Sequence, residues 1–344
     1  MIEQLNIRQI TEEKEEALSP FAVKSSRSQG RDKAEEPCPI RTVFQRDRDR
    51  IVYSKAFRRL KHKTQVFIAP QGDHYVTRLS HTLEVSQIAR TLARSLNINE
   101  DLTEAIALGH DLGHTPFGHI GEEVLNELYP GGFRHNEQSL RVVEMLEKDG
   151  RGLNLTLEVR DGIISHSKSN VSMLEDWGRV ATLEGEICRM ADAVAYINHD
   201  IDDAIRAGVI AEADLPLSAT GVLGNSHRER INTMVSDIIV QSWSVRTGET
   251  VEPAIVMSRS ILEAANTLRE FLFNRVYNIH AAQEVSGKAR KAMRLLYEYY
   301  NRHPDELPLE YSFHGDGIER QVVDHIAGMT DRYATRLAEE LGTD

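Results

Sequence analysis

Apolar residues recur at three- and four-residue steps through most of the chain, the signature of amphipathic helices. In RLSHTLEVSQIARTLARSLNI, Leu79, Leu83, Ile88, Leu92 and Leu96 fall at helical spacing, and His81 shares a face with Val85, Ile88 and Leu92. In NINEDLTEAIALGHDLGH, Asn99 is placed as an N-cap with acids in the first turn, and Pro116 lies beyond the end. EGEICRMADAVAYINHDIDDAIRAG reads as a long helix closed by Gly208. ERINTMVSDIIVQSW, EPAIVMSRSILEAANTLREFLFNRVY and GIERQVVDHIAGMTDRYATRLAEEL continue the pattern. Alternation of period two is brief; HYVTRL and LNLTLEVR are the best strand candidates. The expected fold is all-α. It divides into an N-terminal arm over 1–40, a helical core over 41–210 and a C-terminal helical lobe over 211–344, with the seam near 208–225. The arm mixes charge with Ser and Gly and has weak periodicity, so it is expected to be mobile or wrapped on a partner subunit.

Charge narrows the partners. The 344 residues carry 41 basic and 53 acidic side chains, a net charge of −12 that argues against a general coater of nucleic acid. Local clusters can still bind phosphates, and Arg58, Arg59, Lys61 and Lys63 form a run that could reach phosphates or an oligomer neighbour, although for most of it a solvated helix face is the favoured reading. No stretch approaches the roughly 20 apolar residues that span a bilayer, and the N-terminus lacks a basic-then-apolar order, so a cytoplasmic location is expected. The two cysteines, Cys38 and Cys188, form no CxxC pair, and Cys188 reads as a packing residue.

The chemistry concentrates in HDLGHTPFGH, residues 110–119, which holds three histidines and an aspartate. His110 and Asp111 are adjacent near the end of a predicted helix, so their side chains converge on one ion only if it sits across the helix end. A compact site needs ligands from other helices. His81 is one candidate, pointing inward from its apolar face. Asp192 is another, because a buried mid-helix carboxylate is costly unless paired or bound to a cation. The plainer alternatives are a satisfied core histidine and a carboxylate paired with arginine. Arg78 precedes His81 by three residues and can sit beside it. Asp192, Tyr196 and Asp200 follow at four-residue steps along one helical stripe.

The order H…HD…D resembles the HD-domain superfamily of metal-dependent phosphohydrolases, a helical family. RTVFQRDRDRIVYSKAFRRLKHKTQVF, LGHDLGHTPFGHIGEE, FRHNEQS, RMADAVAYINHDIDDA, LREFLFNRVY and HIAGMTDRYA are similar, in order, to motifs of bacterial dGTPase-like deoxynucleoside triphosphate triphosphohydrolases. The resemblance implies an HD-domain bundle with His81, His110, Asp111 and Asp192 as ligands to a divalent metal. A mixed nitrogen and oxygen shell suits Mn²⁺, Mg²⁺, Fe or Co²⁺, and the absence of Cys ligands argues against a closed structural zinc site. The implied reaction cleaves a dNTP between the α-phosphorus and the 5′ oxygen, giving a deoxynucleoside and tripolyphosphate. By resemblance His114 contacts the α-phosphate, His119 is the general acid or base oriented by Glu122, and His135 is a further active-site histidine. Arg78 and Arg269 serve the phosphates, Tyr196 packs under the deoxyribose, and Asp200 and Gln65 contact the 3′ hydroxyl. Tyr277 lies near base or sugar. The resemblance also implies a homo-oligomer, a tetramer or hexamer, and a dNTP effector between subunits.

Two alternatives stand beside this reading. One is another HD-type nucleotide phosphohydrolase, such as a 5′-nucleotidase or a guanosine tetraphosphate hydrolase. The other is a non-catalytic regulator that binds dNTP or single-stranded nucleic acid.

Overall fold

Side-chain caps set where the helices start. In the computed structural model, which describes residues 5–66, 75–167, 180–277, 284–312 and 315–342, helix α1 (Ile7–Glu15) is followed by α2 (Val43–Val52). A reciprocal pair of hydrogen bonds between Thr42 and Gln45 opens α2. Ser54 caps α3 (Lys55–Arg59), Thr77 caps α4 (Arg78–Leu96), and Asn99 caps α5 (Glu100–Gly109) by accepting from the Leu102 amide. Next come α6 (His119–Leu128), α7 (His135–Arg141), α8 (Leu157–Ser165) and α9 (Leu183–Arg206), the last capped by Thr182. The chain continues through α10 (Leu217–Leu223), α11 (His227–Gln241), α12 (Trp243–Thr247) and α13 (Arg259–Leu272). It ends with α14 (Glu284–Arg302), α15 (Ile318–Ala327) and α16 (Asp331–Leu341).

The fold is all-α, and among the described residues no strand forms. Both strand candidates are overturned. HYVTRL, whose His74 lies outside the described residues, runs directly into α4, because Thr77 and Ser80 exchange cap hydrogen bonds that start a helix there. LNLTLEVR turns helical at Leu157; only an isolated bridge between Arg31 and Thr156 remains of the expected pairing. Leu83 leaves the predicted apolar row and is 52% exposed, since α4 buries the face of His81, Val85, Ile88 and Leu92 instead. The long C-terminal helix is two helices, broken at Gly328–Thr330 where the Thr330 side chain caps α16. The helix expected from 252 starts at Arg259, after an extended stretch that includes the buried Ile255 and Met257.

Two buried apolar clusters organise the molecule. The larger runs from Ala22 to Val276 and centres on α9 packed across α4 and α5, with α2 along α5. Packing is continuous through the expected seam, because Ile210, Leu215, Ala219 and Leu223 belong to this same cluster. The smaller joins Phe117, Ile120, Val124, Leu125 and Phe133 to residues of α14, α15 and α16. The segment read as an arm docks on its own chain instead. Buried carboxylates hold it: Glu184 accepts from the Val23 amide, Glu158 from the Gln29 amide and the Ser28 hydroxyl, and Asp47 pairs with Arg31. No described helix is long and apolar enough to cross a membrane. Cys188 is buried in the larger cluster.

Candidate active site

The two clusters meet at residues 110–119, and the candidate residues gather there. Helix α5 ends at Gly109, so His110 and Asp111 stand at its C-terminal end, as an ion across the helix end requires. His81 projects from α4 and Asp192 from α9, with His81 Nε2 3.2 Å from Asp192 Oδ1. His110 Nε2 is 3.7 Å from Asp111 Oδ1, and Arg78 Nη1 donates to Asp111 Oδ2 at 2.6 Å. His81, His110 and Asp192 each present a ligand atom within 4.8 Å of the others; so do His110, Asp111 and His166. His110 thus belongs to both groups, which between them hold the four predicted ligands and His166.

A test of fit comes from His110 itself. Its Nδ1 lies 2.7 Å from the Ala107 carbonyl, which can only accept, so Nδ1 carries the proton and Nε2 is a bare lone pair. That Nε2 is buried with no hydrogen-bond partner. A buried acceptor without a partner is costly, and a cation beside carboxylates satisfies it. The donor set of imidazole nitrogen and carboxylate oxygen therefore fits a divalent ion.

Glu122 and the histidines around it form the adjoining half. His135 Nδ1 lies 2.9 Å from Glu122 Oε1, and its backbone amide donates to the same oxygen at 2.9 Å. His119 Nδ1 is 3.6 Å and His114 Nε2 3.9 Å from Glu122 Oε2. The rings of His114 and His135 stack at 4.6 Å. His119 alone is largely exposed, at 65%. Electrostatics sorts the group. Burial favours neutral rings at His81, His114 and His166, and His166 is pushed down to about 3. Burial also opposes charge at His135, but the Glu122 carboxylate outweighs it and raises that ring. Burial raises Glu122 and Asp192, and their histidine neighbours more than reverse it, leaving Asp192 at about 2 and Glu122 well below the usual carboxylate range.

The Asp192–Tyr196–Asp200 stripe follows α9. Tyr196 lies one turn beyond Asp192, and the positive charge of Arg269 in α13 acts on its hydroxyl. The Tyr277 hydroxyl donates to Asp200 Oδ2. Gln65 stands beside Arg78, whose Nη2 reaches the Gln65 carbonyl at 3.5 Å, and the Gln65 side-chain oxygen is buried without a partner. Of the basic run, Lys63 is buried rather than solvated; it donates to the His114 and Ala327 carbonyls. Burial brings its ammonium down to about 7.

Comparison with known proteins decides the family. The HD domain profile matches residues 78–197, and the phosphohydrolase-associated domain profile matches 255–340. A deoxyguanosinetriphosphate triphosphohydrolase-like protein of Caldanaerobacter subterraneus subsp. tengcongensis is 55% identical over 98% of this chain and 96% of that protein. One from Desulfatibacillum aliphaticivorans is 51% identical over 96% of each. The chain belongs to this dGTPase-like family of HD-domain phosphohydrolases. A crystal structure of a hypothetical protein from Aquifex aeolicus is similar at 19% identity and a TM-score of 0.42, covering 86% of this chain and 70% of that one.

In this dGTPase-like chain two buried histidines join the site that sequence reasoning missed. His166, at the end of α8, has its Nδ1 2.7 Å from the Ile163 carbonyl and its Nε2 3.2 Å from His135 Nε2. His199 Nε2 lies 2.8 Å from His81 Nδ1, and its own Nδ1 is 2.7 Å from Asp200 Oδ1 at a poor hydrogen-bond angle. His199 thereby stands between His81 and Asp200. One signal was available for it: it directly precedes Asp200 in the stripe.

Proposed function

We propose that this chain hydrolyses deoxynucleoside triphosphates to a deoxynucleoside and tripolyphosphate in a divalent-metal-dependent reaction. The observation that carries the reading is the contact between the two halves: a buried His/Asp cluster with an unpartnered imidazole nitrogen, against three histidines gathered on one carboxylate. His81, His110, Asp111 and Asp192 would hold the ion, with the His81 Nδ1 proton turned to His199 so that Nε2 faces the site. A bound Mn²⁺, Mg²⁺, Fe or Co²⁺ ion supplies Lewis acidity toward an α-phosphate oxygen and lowers the pKa of water.

The chain's own residues do the rest. Water oxygen bonds to the α-phosphorus, the bond to O5′ breaks, and the departing alkoxide takes a proton. Exposed His119, aligned by Glu122, is placed to move that proton, since an imidazole nitrogen can accept or donate one. His114 and His135 line the position of the α-phosphate. Arg269 and the charge of Arg78 face the phosphates. Tyr196 supports the deoxyribose and excludes a 2′ hydroxyl, Asp200 and Gln65 accept or position the 3′ hydroxyl, and Tyr277 holds Asp200 in place. A homo-oligomer, tetrameric or hexameric, with a dNTP effector between subunits belongs to the same reading.

Chromatographic product analysis with each dNTP, alone and in pairs, with Mn²⁺ or Mg²⁺ and after chelation, tests it. Tripolyphosphate and deoxynucleoside are expected, abolished by chelator. Orthophosphate or pyrophosphate as the product would overturn it in favour of another HD-type phosphohydrolase. His119→Ala should lose turnover while dNTP binding persists; equal turnover in the variant would remove His119 from the mechanism.

A further inference from the structure

The loop between His114 and His119 is tied by a knot that nothing in the proposed chemistry uses. Phe117 holds a left-handed backbone, φ +62°, and Gly118 follows at φ +60°. Glycine takes such angles freely; phenylalanine does so only where surroundings impose them. The imposing groups come from the far end of the chain. Asp331, the first residue of α16, accepts the Phe117 amide on Oδ1 at 3.0 Å. Its Oδ2 accepts the Thr64 amide at 2.9 Å, one residue before Gln65. Lys63, the preceding residue, ties the His114 carbonyl at 2.5 Å to the Ala327 carbonyl at 2.8 Å. Phe117 itself is buried in the smaller apolar cluster, and the Thr115 hydroxyl donates to the Gly118 carbonyl at 2.9 Å. One carboxylate thus fixes both the turn that aims His114 and His119 and the strand of chain that carries Gln65.

We propose that Asp331 is a positioning residue for catalysis: it holds the His114–His119 turn in its strained shape from the C-terminal lobe. The inference rests on the dNTP-hydrolysis reading for its kinetic consequence. A carboxylate with two acceptor oxygens is the group the geometry requires. Asparagine keeps one acceptor and sets an N–H₂ against the second amide, so the turn relaxes toward ordinary φ. Chemistry slows because reacting groups move, while the ion's ligands, held on α4, α5 and α9, stay in place.

The test uses the full chain. Asp331→Asn should lower kcat by roughly ten- to a hundredfold with KM held within about threefold, the signature of lost transition-state geometry. Its Mn²⁺ affinity, read by calorimetry without substrate, should match the parent. Hydrogen exchange of peptides containing Phe117 and Thr64 should quicken. Val323→Ala opens a cavity in the same apolar cluster without removing either hydrogen bond of Asp331, and is expected to lower thermal stability and leave kcat unchanged, which separates positioning from general loosening. If Asp331→Asn does not fold, Asp331→Glu keeps charge and both acceptors on a longer stem and is expected to show the same kcat loss at constant KM. Parent-like kcat in the folded variant, or unchanged exchange at Phe117, overturns the proposal. So does an equal kcat loss in Val323→Ala. A parent without dNTP turnover sinks the functional reading instead, and the exchange measurement still decides the role of Asp331.

Discussion

The two buried clusters do different work. The larger contains the helices that carry the titratable centre, and it pairs apolar faces with buried polar groups: His81, His110, Asp111, Asp192 and His199 all lie at its margin. The smaller is built from aliphatic and aromatic side chains, with His325 packed between Tyr300 and Tyr311 and pushed down to about 4 by burial. Ionisable groups inside a core lower its stability unless each finds a partner. A site needing several unpaired acceptors is therefore placed at a margin where a second, apolar unit seals it. The smaller cluster lies against that margin and, through Phe117, reaches into the His114–His119 turn.

The sharpest way to break this contrast is to substitute both sides in parallel. Asp192→Asn removes a carboxylate from the proposed cation shell and should cost roughly 10²–10³-fold or more in turnover, together with Mn²⁺ affinity. Val323→Ala in the smaller cluster should cost roughly 2 kcal/mol of stability and no turnover. Steady-state kinetics, calorimetric titration of Mn²⁺ and denaturant unfolding on the same samples give the comparison. Mn²⁺ affinity preserved in Asp192→Asn would show that the ion, if one binds, sits elsewhere.

A smaller effect is expected at the joint between α7 and the histidine motif. Gly113 sits between Asp111 and His114 and donates its amide to the Ser139 hydroxyl at 2.9 Å. A Cβ there would stand 2.1 Å from the Ser139 backbone nitrogen. Backbone cannot step aside as a flexible side chain can, so Gly113→Ala must push α7 away, and His135 with it. A kcat loss of roughly tenfold or more is expected, because misplacement by about 1 Å carries penalties of that order. Activity within twofold of the parent would show that His135 does not depend on this packing.

Much of this was legible in the chain, and what was not has a common cause. Periodicity located α4, α5 and α9, and Asn99 caps α5 as its residue type suggested. His81 and Asp192 were readable because each sits on an inward helical face, one apolar and one mid-helix. His166 was not, because it has no local pattern and joins the site only through the packing of α8 against α5; His199 offered only its place beside Asp200, and the packing of α9 against α4 sets it on His81. Thr77 and Thr156 fall in the two alternating stretches that suggested strands, whereas both stand with extended backbone immediately before a helix. Threonine serves either role, and only the following turn decides. The Asp331 knot was hidden for a related reason: the apolar period runs through Gly328–Thr330 unbroken, so the cap at Thr330 read as helix interior.

The smallest effect expected is a slope, and it tests whether the larger cluster is as costly in charge as the contrast implies. Glu184 is fully buried where the N-terminal segment docks, and accepts from the Val23 and Asn99 amides at 3.0 and 3.2 Å, both through Oε1. Its Oε2 is buried without a partner. Burial pushes the carboxyl up from 4.5 to about 7, beyond what its amide donors can offset. A carboxyl raised in the folded state binds more protons folded than unfolded between those two values. Its contribution is therefore complete below about pH 4.5 and is lost as pH rises through about 7, an order of about 3 kcal/mol. Glu184→Gln removes that titration. The unfolding free energy of the variant minus that of the parent should grow more positive by about that amount from pH 4.5 to 8, measured in urea at fixed salt. A difference that stays flat with pH would mean that Glu184 is ionised in the folded chain, and that water reaches the interior of the larger cluster where the structure packs the N-terminal segment over it.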